Sequence, residues 1–373
     1  MANKDLATYP SEYRKFTDEQ TGAVIHQLTQ TECVSHPPYF LTSAFTPDSR
    51  FLIFTSYRTG SPQLYEVEFP DGPIRQLTDV HGLHPYSAVL SPDGNTIYFT
   101  RKGNIESLNR QDLSIRLLYH LEGVQFGECD VSQDGNWIVT ALKLGQNNGV
   151  AIAATNGDGG KVIVDFPRTI IHPQFHPLDG EWIEFAADPA PRMFRVRRDG
   201  SELECLYEHD NDEFVVHETF LGETGDLIFT VWNKALKRMD WKSREITTII
   251  ETNAWHISPN RAGTKVLYDT NHPDRGLQLL DVATGREQTL CYPRSSNGGT
   301  QWRKTRYALA EDFAAARREN ADALSWMEMP TDNVYGPQWT HPHPAFNPDE
   351  TLVSYTSDVS GHAQVYVVEL PHQ

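Results

Sequence analysis

A chain of 373 residues, 39% of them hydrophobic and 11% aromatic, carries enough apolar side chain for a large folded core. Its formal charge of -18 excludes the basic footprint that nucleic acid and anionic membrane surfaces demand, so neither is expected as a partner, and an anionic ligand would need a local cation to hold it. No segment has the apolar length of a membrane span and the first residues hold no apolar signal core. Cys33, Cys129, Cys205 and Cys291 form no CxxC and are too few and too far apart to staple the chain, so a reducing, cytoplasmic location is expected.

In chain order, the first strand-like stretch is residues 23–29. It resembles the later outer strand at residues 74–78, yet no inner strands precede it. Seven turn signals then recur: Thr46-Pro47-Asp48-Ser49, Ser91-Pro92-Asp93-Gly94, Ser132-Gln133-Asp134-Gly135, His176-Pro177-Leu178-Asp179-Gly180, Gly222-Glu223-Thr224-Gly225, Ser258-Pro259-Asn260 and Asn347-Pro348-Asp349-Glu350. The first six lie 36 to 46 residues apart, and the last follows after 89. Each is followed by a short β-rich run such as Phe51-Leu52-Ile53-Phe54 or Lys265-Val266-Leu267-Tyr268, with further strands behind it. A period near 45 residues with four strands per unit is the pattern of a propeller blade. The expected fold is all-β, a seven-bladed β-propeller in which the N-terminal strand closes the last blade. Residues 1–373 read as one propeller domain with a partly helical insertion at about 291–337, where residues 308–326 have helix-forming composition and are expected to serve as decoration or as an interface element.

In a propeller the first strand of each blade lines the central channel, so distance from the hairpin turn reports location. His172, His217, His256, His341 and His343 precede their turns by 3 to 7 residues and should converge on the axis, with His36 and His84 slightly earlier, in loops at the same mouth. His341 and His343 each precede a proline, which forces extended backbone and puts both side chains on one side. With His256 and Gln338 they offer three nitrogens and one amide oxygen, all neutral, a donor set that fits manganese, iron, nickel or zinc.

The chain resembles the oligogalacturonate lyases. The resemblance runs from residue 21 to the C-terminus and is carried by Gln338-Trp339-Thr340-His341-Pro342-His343-Pro344, Phe346 and Thr356-Ser357-Asp358. Tyr39-Phe40, Ala190-Pro191-Arg192-Met193 and Val216-His217-Glu218 extend it. It implies a seven-bladed propeller that cleaves pectin-derived acidic oligosaccharides by β-elimination. It also implies a manganese ion on His256, Gln338, His341 and His343, with His217 as the base and Arg192 as the catalytic arginine. His172 and His36 are assigned to substrate contact. The chain departs from the family in a short stretch after Ala141 and across residues 290–338. A lyase for another uronate glycan and a non-catalytic interaction platform are the alternatives, separable by a substrate panel and by metal analysis. The oligomeric state has no signature in the sequence.

Overall fold

The computed structural model describes residues 6–144, 147–210, 212–299, 310–319 and 334–371. Among them the strands form seven antiparallel sheets, one per expected turn. The first blade holds Ser35–His36, Phe51–Ser56, Gln63–Glu68 and Ile74–Gln76, with Thr8–Tyr9 added outside. The third to sixth blades begin on the innermost strands Gln125–Val131, Thr169–Phe175, Val215–Phe220 and Ala254–Pro259.

The last blade is built from both ends of the chain, as the orphan N-terminal strand predicts. Ala345–Phe346, Leu352–Ser357 and Gln364–Glu369 are continued by Val24–Gln27, whose Ile25, His26 and Gln27 pair with Val368, Val367 and Tyr366, and then by Arg14–Thr17. The clasp hides the edge that Gln364–Glu369 would otherwise expose.

Four of the seven turns share one hydrogen-bond device. The side chain at the first turn position accepts the backbone N–H that opens the next strand: Thr46 Oγ1 from Phe51 at 3.0 Å, Ser91 Oγ from Thr96 at 3.0 Å, Ser132 Oγ from Trp137 at 2.9 Å and Asn347 Oδ1 from Leu352 at 2.8 Å. Such short polar side chains capture local backbone donors, which is why the turns are readable in the sequence. His176 takes over in the fourth blade, its Nδ1 accepting from Leu178 and Asp179. The strands behind the turns bury apolar faces against neighbouring blades, as where Ile228 and Leu236 meet Ile257 and Val266.

No helix among the described residues is long and apolar enough to cross a membrane. Of the expected helix, Ala310–Glu319 is observed, and the remainder lies outside the described residues.

Ile25 is 2% exposed and packs against Leu290, Val353 and Val368, tying the N-terminal strand to the last two blades. Ile25→Ala is expected to lower the free energy of unfolding by about 3 kcal/mol in a denaturant titration. An unchanged midpoint would show that the clasp contributes nothing to global stability.

Candidate active site and metal centre

The innermost strands break register where the histidines sit. The ladders shift between Ile171 and Gln174, between Val216 and Thr219, and between Ala254 and Ile257. His172 and His217 each adopt φ 58°, and His343 adopts φ 47°. A bulge turns a side chain that would point into a neighbouring blade toward the axis instead, and histidine tolerates left-handed backbone better than most residues. Each bulge also frees a backbone N–H. Asp269 Oδ1 takes that of His256 at 2.7 Å, and Glu128 Oε1 takes that of His172 at 3.0 Å.

The result is a packed group of imidazoles. His256, His341 and His343 have ligand atoms all within 4.8 Å of one another and are fully buried. Their hydrogen bonds decide which nitrogens face inward. His256 Nδ1–H donates to Asp269 Oδ2 at 2.7 Å, leaving a buried, unpartnered Nε2. His341 Nε2–H donates to the Gly298 carbonyl at 2.7 Å, so a neutral ring has its lone pair on Nδ1. His343 Nε2–H donates to Gln338 Oε1 at 3.1 Å, which brings the amide oxygen into the same group of donors.

Burial pushes His256 and His343 well below the usual imidazole range, with neighbouring histidines adding to the effect, and burial also lowers His341. All three rings are therefore neutral at neutral pH. The donor set fits a borderline divalent cation such as manganese.

Beside this group lies a cavity of about 20 Å³ lined by Tyr39, Ile171, His172, Arg192, Val216, His217, Tyr335 and Gln338. It has room for about one water. A sugar ring needs far more, so substrate entry requires these side chains to move apart. Four of the expected site residues share its wall. His217 packs against His256 at 4.4 Å between ring centroids and against Trp255 at 4.3 Å. Burial, then His256, His172, Arg192 and His343, hold its imidazole well below the usual range. His172 is pushed down to about 3 by burial and Arg192, and it stacks on Tyr39 with centroids 4.9 Å apart.

His36 belongs to a strand rather than a loop. Ser35–His36 pairs with the second strand of the first blade, and the His36 ring stacks on Tyr86 at 4.2 Å. It does not line the cavity. A larger chamber of about 410 Å³ opens among the hairpin turns and holds none of the clustered histidines, and Phe40 lines its inner end. Of the clustered histidines, His172 and His217 line the smaller cavity and none lines the larger.

Arg192 is held in a network of four hydrogen bonds. Its Nε and Nη2 donate to the two oxygens of Glu218 at 2.7 and 3.1 Å, and its Nη1 donates to Asp188 and to the Tyr335 hydroxyl. Those four bonds leave one of the five guanidinium N–H groups for a ligand. Burial would push Glu218 up, but Arg192 outweighs it and holds that carboxyl below its usual range. Glu218 alone thus offsets the guanidinium charge.

The inserted segment takes part in the site. Ala316 of its helix, with Val334 and Tyr335, packs into the cluster of Phe214, Val216, Trp232 and Trp255 that backs His217. Its two ends meet where Gly336, at φ 82°, lies so close to Gly298 that a Cβ would overlap the Gly298 carbonyl.

With this geometry in place, the oligogalacturonate lyase family model matches residues 3–141. The oligogalacturonide lyase of Pectobacterium atrosepticum is 21% identical over 97% of this chain and 97% of its own length. The oligogalacturonate lyase of Dickeya dadantii is 22% identical over 96% of each. A solved oligogalacturonate lyase in complex with manganese superposes with a TM-score of 0.81, at 19% identity and over 99% of both chains. This chain is oligogalacturonate lyase-like in sequence and in fold. The family model ends at residue 141, ahead of every residue in the cluster, so the assignment of individual side chains rests on the geometry.

Sequence reasoning on this lyase-like chain missed Asp269, Asp188, Glu128 and Tyr335. Asp269 had a readable signal, a carboxylate directly after the apolar run Val266-Leu267-Tyr268 in a buried strand. Its removal tests the centre without touching a ligand. Asp269→Asn is expected to weaken manganese binding about 10–100-fold in calorimetry, and His343→Ala to lower bound metal in elemental analysis. Full metal occupancy in both variants would remove the ion from this position.

Proposed function

We propose that this chain is a metal-dependent lyase that cleaves digalacturonate and other short oligogalacturonides by β-elimination, releasing unsaturated products that convert to 5-keto-4-deoxyuronate. One observation carries this reading: neutral imidazole donors converge on a point beside an unprotonated buried His217 and an arginine, in a chain similar over nearly its whole length to oligogalacturonate lyases.

The chemistry follows from charge. The hydrogen on C5 of a uronate lies next to a carboxylate, and removing it builds a second negative charge on that group. His256 Nε2, His341 Nδ1, His343 and Gln338 Oε1 would hold a divalent cation, manganese by analogy with the solved relative, whose Lewis acidity would stabilise that charge. His217 is the base. Its neutral ring accepts the C5 proton, a contribution on the order of 10²–10⁴-fold for a positioned group. Arg192 directs its remaining N–H at the substrate carboxylate, while Glu218 and Asp188 fix the guanidinium plane. His172 and Tyr39 form the wall against which a sugar face packs.

His217→Ala is expected to lower the rate of unsaturated product formation from digalacturonate by at least about a hundredfold with manganese content unchanged, followed by absorbance of the new double bond. Retained turnover removes His217 as the base. Because Glu218 already offsets Arg192, the protein stripped of metal is expected to bind digalacturonate on the order of tenfold more weakly, or worse, than the manganese-loaded protein in calorimetry. Equal affinity would mean that the substrate anion is held elsewhere.

A further inference from the structure

The elimination needs a second proton event that the expected site residues do not supply. When C4–O4 breaks, the departing oxygen of the neighbouring sugar leaves as an alkoxide unless it is protonated, and His217 is already committed to C5. A side chain on the same cavity that holds a proton at neutral pH could supply it.

Two tyrosines line that cavity, Tyr39 and Tyr335. Their surroundings differ. Tyr335 is contributed by the inserted segment, and its ring stacks on Phe214 with planes 5° apart. Its hydroxyl accepts from Arg192 Nη1 at 3.2 Å and donates to Asp188 Oδ1 at 3.0 Å. A guanidinium N–H is therefore already in place to meet the negative charge a phenolate would carry. Tyr39 has no such partner among the described residues, and of the charged groups facing it the carboxylate of Glu128 raises it more than Arg192 lowers it.

We propose that Tyr335 is the proton donor to the leaving oxygen, acting from the inserted segment on the cavity it shares with His217. This role rests on the elimination reading above. The step balances within the site: the C5–H pair becomes the C4=C5 bond, the C4–O4 pair goes to O4, and O4 takes the Tyr335 proton. The phenolate beside Arg192 recovers a proton from water once the product has left. Burial, and then Asp188, push the Tyr335 hydroxyl well above its usual range. It stays protonated at neutral pH, and as a weak acid it matches the high basicity of an alkoxide leaving group.

Tyr335→Phe keeps the ring and removes only the oxygen. With digalacturonate in D₂O, the manganese-loaded variant is expected to form product about 10²–10³-fold more slowly, to keep its metal, and to exchange the C5 hydrogen of unreacted substrate for deuterium faster than it eliminates. A residue that merely supports Arg192 would not separate the two steps, since both need the arginine. Elimination within about threefold of the parent protein, or C5 exchange falling in parallel with elimination, would overturn the assignment, as would the same separation in Tyr39→Phe but not in Tyr335→Phe. A parent protein that forms no unsaturated product would overturn the elimination reading itself, and Tyr335's role with it, before any variant is compared.

Discussion

Desolvation is the constraint on which this site depends. An imidazole sealed among blades cannot afford a proton, and five histidines of the channel share that condition, so their lone pairs remain available. Which lone pair points inward is set by a single bond on the far side of each ring: Asp269 for His256 and the Gly298 carbonyl for His341. Because these nitrogens and the Gln338 amide oxygen are uncharged, a bound cation would keep its full charge for a ligand.

The same desolvation makes the arginine a fixture rather than a free cation. A buried guanidinium is stable only with its charge and its N–H groups met, and Glu218, Asp188 and Tyr335 meet them. Such a network orients one N–H firmly but surrenders most of its electrostatic pull. Under the proposed elimination, attraction for a uronate would have to come mainly from a cation held by the imidazoles, in a chain whose overall charge repels anions.

The blades were legible in the sequence because their turns are local. A Thr, Ser or Asn caps the strand five residues on, and nothing distant has to be known. The histidines were legible because the ring geometry converts spacing from those turns into position on the axis, and His172, His217, His256, His341 and His343 do meet there. His36 was expected in a loop and lies instead in a two-residue strand, too short for any periodicity to announce. Glu128 and Asp269 escaped because their partners are long-range or lie across a bulge: Glu128 reaches a backbone N–H in the next blade, 44 residues away, and Asp269 answers a register shift that no pattern of apolar residues announces.

The insertion shows most clearly why sequence reasoning stops where it does. As a composition it is a stretch of helix former between two blades, and decoration is the natural expectation. In space its two ends cross at Gly298 and Gly336, where only the absence of a side chain lets the backbones approach so closely. From that crossing one arm sends a carbonyl to His341 and the other sends a hydroxyl to Arg192. A single backbone contact thus ties the orientation of a metal-facing imidazole to that of the guanidinium. A segment expected to depart from the family pattern therefore reaches both the imidazole cluster and the arginine network, while the ring of blades is built without it.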